Sequence, residues 1–74
     1  MKKEEFKLLI ESIGFYSTDG FNYYYKEFEI YLYNSYYNFY DCSEWDDYNY
    51  NNLKPIEECF KRELRSIKLK ALLR

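Results

Sequence analysis

Residues 21–40 read FNYYYKEFEIYLYNSYYNFY, and their alternation restricts the fold more than any other feature of the chain. Apolar positions recur at every second residue, the period of a strand with one buried face. Two hairpins satisfy it. With Lys26 and Glu27 as a two-residue loop, Tyr25 stands opposite Phe28, Tyr23 opposite Ile30 and Phe21 opposite Leu32. With Asn34 and Ser35 as a second such loop, Leu32 stands opposite Tyr37 and Ile30 opposite Phe39. The two registers are independent, yet both place Phe28, Ile30 and Leu32 on one face with Phe21, Tyr23, Tyr25, Tyr37 and Phe39. A one-residue slip in either hairpin would turn that apolar set to water, so their agreement predicts an antiparallel meander. Neither loop carries the glycine that tight hairpins favour, which leaves room for a loop one residue longer. Asp46 to Tyr50 reads as a weak fourth strand. It follows the polar turn DCSE and turns Tyr48 and Tyr50 inward, with Trp45 near Tyr40 or Asn38.

Helical periods flank the strands. Phe6, Leu9, Ile10 and Ile13 recur at helical spacing, and Gly14 follows where a left-handed terminating residue belongs, predicting a helix over Lys3–Ile13. The run STDG, Ser17–Gly20, predicts a turn. Leu53, Ile56, Phe60, Leu64 and Ile67 form a second stripe. Pro55 suits a first helical turn, and the acids that follow it suit the positive end of the helix dipole, so one helix is expected from about Pro55 to Leu72. The expectation is a single two-layer α+β domain over residues 1–74: helix, antiparallel three- to four-stranded β-meander, helix, with both helices on the inner sheet face.

A domain of 74 residues buries only about 60% of its unfolded surface and needs compensation. Here it is aromatic, through 11 Tyr, 6 Phe and 1 Trp, whose rings bury large areas. The abundance of Lys, Asn, Tyr, Phe and Ile also matches AT-rich codon usage, pointing to an AT-rich bacterium or its virus. Cys42 and Cys59 lack C-x-x-C spacing, and there is no histidine, so a zinc site and a nucleophilic triad are both unsupported. The acids Asp41, Glu44, Asp46 and Asp47 do not follow a calcium-loop pattern. No enzymatic activity, metal or cofactor is expected. No secretory leader or membrane span is read in the chain, so a cytoplasmic location in an infected or host bacterium is expected.

If the helices cover one face, the other carries Asn22, Tyr24, Glu29, Tyr31, Tyr33, Tyr36, Asn38 and Tyr40, with Trp45 beside them. Three readings compete. Tyrosine favours strands and tolerates water, so the face is ordinary solvated sheet. Alternatively Tyr24, Tyr31, Tyr33, Tyr36, Tyr40 and Trp45 form a protein-contact platform, with Glu29 and a rim of Asp41, Glu44, Asp46 and Asp47. The third reading, stacking on single-stranded bases, conflicts with that acidic rim, which repels phosphate. Charge is segregated along the chain: residues 14–60 hold nine acids and two lysines, residues 61–74 six bases and one acid. Lys61, Arg62, Arg65, Lys68 and Lys70 on the second helix therefore offer an alternative nucleic-acid surface. Their other reading is complementation of the helix dipole on a solvated face. Leu69, Leu72 and Leu73 offer a homodimer contact.

The element order resembles the double-stranded-RNA-binding domain. That family reads phosphates with a basic start to its second helix, whereas here those positions read KPIEEC, Lys54–Cys59, and are net acidic. Its function therefore does not transfer. In size, charge pattern and element order the chain is similar to small acidic phage-encoded inhibitors such as anti-CRISPR proteins, although its basic tail departs from an all-acidic mimic. That similarity implies a protein-binding inhibitor of a host nucleic-acid-handling or defence protein. It assigns no residue.

Overall fold

The computed structural model describes the backbone of residues 1–72 and the side chains of residues 1–67. The elements are α1 (Lys3–Ile13), β1 (Asn22–Tyr25), β2 (Phe28–Leu32), β3 (Tyr36–Tyr40), β4 (Trp45–Asn49), α2 (Lys54–Cys59) and α3 (Lys61–Leu72). The four strands form one antiparallel meander in the order β1-β2-β3-β4. Both hairpins take the expected register, with Tyr25 opposite Phe28, Ile30 between Tyr23 and Phe39, and Leu32 opposite Tyr37. The first two-residue loop closes without glycine because Lys26 itself takes a positive φ of 53°. In the β3–β4 turn Cys42 does the same at 78°. The fourth strand begins one residue earlier than expected, at Trp45, and Tyr50 turns inward just beyond its end.

The core lies between the inner sheet face and the helices. Phe6, Ile10 and Ile13 of α1 and Ile56 of α2 pack against Tyr23, Ile30, Leu32, Tyr37 and Phe39 of the sheet. Ring contact supplies much of the specificity. Phe6 stacks on Tyr37 at 4.3 Å between centroids, and Phe28 meets Phe60 edge-on at 4.7 Å. The buried phenols are satisfied: Tyr37 donates to the Asn52 carbonyl at 2.7 Å, and Tyr50 to the Tyr33 carbonyl. Burial lifts Tyr37 well above the ordinary phenol value and pushes Tyr50 up to about 12, with Glu4 adding to the second. Both hydroxyls therefore stay protonated and remain donors at neutral pH.

Gly14 ends α1 at φ 132°. A Cβ there would stand 2.7 Å from the Tyr25 ring, so the absence of a side chain lets the chain pass close under β1.

Two expectations are corrected. The second helix is not continuous: Phe60 leaves helical geometry at φ −125°, ψ 37°, separating α2 from α3. Its side chain explains the break, because the bend drives the ring among Phe15, Tyr25, Phe28 and Phe39. Phe21, expected in the core, is 51% exposed, with the Lys3 ammonium 5.8 Å from its ring. It precedes β1 at the rim of the inner face, where only the Lys3 side chain at the start of α1 is recorded over its ring. The leucines Leu69, Leu72 and Leu73, read as a dimer contact, lie outside the described side chains, as do Lys68 and Lys70.

The turn before β1 is held by the Asp19 carboxylate together with the Ser17 hydroxyl, whose Oγ accepts the Gly20 N–H at 2.8 Å. Asp19 Oδ1 accepts the backbone N–H groups of Phe21 and Asn22, each at 2.9 Å. Those bonds, that of Asn22 first, lower Asp19 from 3.8 to about 2. A depressed folded-state value means the bonds stabilise the fold above the unfolded value and are lost as pH falls through the folded one. The Phe21 and Asn22 amide resonances should therefore move together as pH drops from 3.8 toward about 2. In Asp19→Asn that acid limb should vanish. Unchanged amides across the window would show that the carboxylate does not hold the turn.

Candidate protein-contact face

Strand parity places alternate residues of all four strands on the face opposite the helices. Cross-strand pairing then groups them. Tyr24 pairs with Glu29, Glu29 with Tyr40, and Tyr40 with Trp45, forming one row across the whole sheet. Asn22, Tyr31, Asn38 and Asp47 form the next. Tyr36 and Asn49 continue a third, in which the Tyr33 N–H donates to the Tyr36 carbonyl at 2.9 Å.

The rings touch. Tyr31 and Tyr33 have centroids 4.6 Å apart, and Tyr33 and Tyr36 stack at 4.6 Å with planes only 16° from parallel. Tyr40 and Trp45 lie 5.3 Å apart. The three-tyrosine ladder is fixed from beneath as well as from the side. Tyr50 reaches from the core to the Tyr33 carbonyl, and the Tyr33 N–H is held by β3, so both backbone groups at the centre of the ladder are bonded. Rings held this way lose little further freedom on contact, which favours binding.

Electrostatics on this face have one sign. The Tyr33 phenol is held above its ordinary value, first by desolvation and then by the charges of Tyr36, Tyr31 and Asp47 beside it. Asp47 is oriented by Asn38, whose Nδ2 donates to its Oδ1 at 2.6 Å. No Lys or Arg falls on the outer positions of the four strands. The single ion pair among the described residues, Lys26 with Glu63 at 3.8 Å, involves neither Glu29 nor Asp47.

The expected site residues thus divide. Tyr24, Glu29, Tyr31, Tyr33, Tyr36, Tyr40, Trp45 and Asp47 share the outer face. Asp46 does not: it pairs with Phe39, an inner-face position, so parity turns it to the helix side of the edge strand. Glu44 stands in the β3–β4 turn, exposed. Asp41, at the start of that turn, is committed locally. Its Oδ1 accepts Ser43 Oγ at 2.7 Å and the N–H groups of Ser43 and Glu44, which hold its carboxyl below the usual range, the Ser43 hydroxyl contributing most. Both cysteines are exposed and unbridged, and desolvation is the first cause raising their thiols.

One contributor escaped the strand pattern. Tyr16 pairs with Tyr24 through two backbone bonds of 3.0 and 2.9 Å, and their rings lie 6.0 Å apart. It extends the first row beyond β1, and it is 62% exposed. Its signal was the alternation of buried Phe15 with exposed Tyr16, too short to register as a strand.

On the helical side, Lys61, Arg62 and Arg65 are exposed on α3. They share their surroundings with Glu57, Glu58 and Glu63, so the described part of that surface mixes both signs. No described helix is long and apolar enough to cross a membrane. No family model, curated protein or solved structure matches the chain significantly.

Proposed function

We propose that the chain is a non-enzymatic protein-binding module encoded by a phage or mobile element, acting in the host cytoplasm as an anti-CRISPR-like inhibitor. It docks its tyrosine-rich sheet face on the nucleic-acid-contact surface of a host nucleic-acid-handling or defence protein. The observation that carries this reading is a packed aromatic face with acids and no cation, left uncovered by any described element. Large rigid rings supply contact area. The carboxylates oppose the basic groups that would otherwise hold phosphates, speeding encounter and selecting the partner. A surface of this sign repels nucleic acid itself, so competition with nucleic acid for a shared basic partner follows.

The test uses a tagged chain to capture its partner from host lysate. The captured protein is then assayed for nucleic-acid binding as purified chain is added. Stoichiometric loss of nucleic-acid binding is expected. A partner that binds nucleic acid equally well under saturating chain overturns the reading. Retention of the free chain on nucleic acid, weakening steeply with salt and removed by charge reversal at Arg62 and Arg65, would instead move the function to α3.

A further inference from the structure

We propose that the outer face is an arginine-recognition surface, in which the Tyr31–Tyr33–Tyr36 ladder stacks a guanidinium of the partner protein while Asp47 pairs with it. The inference rests on the docking face proposed above and names the side chain it selects.

Three observations converge on that corner of the sheet. The ladder gathers three rings, with Tyr31 tilted by 45° and Tyr36 stacked within 16° against Tyr33, each at 4.6 Å. Asp47 shares the cross-strand row of Tyr31, on the far side of Asn38, and lies one row from Tyr36; its charge bears on the Tyr33 phenol. The Asn38 amide holds Asp47 Oδ1 at 2.6 Å, which fixes the carboxylate plane and leaves Oδ2 without a hydrogen-bond partner among the described residues. No cation of the chain serves this carboxylate among the described residues. The missing complement is positive, planar and able to lie on an aromatic ring.

Guanidinium meets all three conditions. It stacks on aromatic faces, presents N–H groups in its own plane and sheds water more readily than an ammonium. Lysine offers a compact, strongly hydrated charge that satisfies Asp47 but gains less from the ladder. Arginine is also over-represented where phosphate is recognised by a planar pair of N–H groups, which ties the selectivity to the target class proposed above.

Asp46 and Asp47 provide an internal control, because they are adjacent yet parity sends them to opposite faces. Fluorescence anisotropy would compare a labelled arginine-rich peptide with its all-lysine counterpart of equal length, titrated with the intact chain. The arginine peptide should bind about fivefold more tightly. Asp47→Asn, which keeps the side-chain shape beside Asn38, should weaken arginine binding about fivefold. Asp46→Asn, with the same change in net charge, should weaken it less than about twofold, as expected for an ion outside the contact. Tyr33→Leu should erase the preference for arginine over lysine while leaving a residual charge attraction. Equal binding of the two peptides, or equal effects of Asp46→Asn and Asp47→Asn, overturns the arginine assignment. The docking face is judged separately, by capture of the protein partner with the ring variants, so the two failures are distinguishable.

Discussion

Phe60→Ala is expected to remove a large share of the domain's stability. The Phe60 side chain is 1% exposed and meets four other rings, with Phe28 nearest at 4.7 Å and Phe15 at 5.3 Å. Truncating a buried Phe costs about 3–5 kcal/mol through lost transfer energy and the cavity left behind. A chain of this length has about 4–11 kcal/mol to lose in total. The backbone raises the stake. Phe60 is the non-helical joint between α2 and α3, and the ring is what holds that joint against the sheet. Without it the segment is free to straighten into the continuous helix that its apolar spacing favours, which would pull Leu64 and Ile67 out of register with the core. Urea titration followed by far-UV circular dichroism checks this. The midpoint should collapse for Phe60→Ala and fall much less for Phe60→Leu, which retains most of the buried volume. An alanine variant that melts with the wild type would mean the four-ring cluster is not what organises the helices.

That joint also shows where sequence reasoning stops. Ile56, Phe60 and Leu64 are spaced by four, so their period runs unbroken through the bend. The φ and ψ of Phe60 are set by rings distant in the chain, and no local pattern reports them. The meander was legible for the opposite reason. Two hairpins shared β2, and a wrong register in either would have exposed Ile30 and Leu32, so the constraint was local and redundant. Beyond β3 the redundancy ends. Consecutive Asp46 and Asp47 break the alternation, so the sequence alone places Asp46 on the outer rim, whereas its pairing with Phe39 turns it inward. Tyr16 was missed because one isolated bridge leaves no period. The position of the tyrosines on an uncovered face was thus readable from parity. Their contacts, and the orientation of Asp47 by Asn38, depend on geometry across three strands.

Replacing Tyr31, Tyr33 and Tyr36 together by serine should abolish partner binding, by about a hundredfold or more, while the domain still folds. The reason is that the rings and the backbone beneath them have separate supports. Tyr33 and Tyr36 are 40% and 36% exposed, so removing their rings opens no cavity in the core. The bonds that hold the turn use the Tyr33 N–H and carbonyl, and serine retains both. What is lost is ring-to-ring contact, at about 0.5–1.5 kcal/mol per pair, and some strand propensity. The far-UV spectrum should therefore persist with a modestly lower urea midpoint. Affinity should not persist, because in the proposed docking the same three rings supply the rigid contact area at that end of the face. The phenylalanine triple variant separates area from hydroxyl chemistry: it keeps every ring and should keep most of the binding. Full binding by the serine variant would remove the sheet face from consideration and leave α3 as the surface to pursue. Loss of the fold would show that these rings belong to the structural core after all, since a docking surface is dispensable for folding and a core is not.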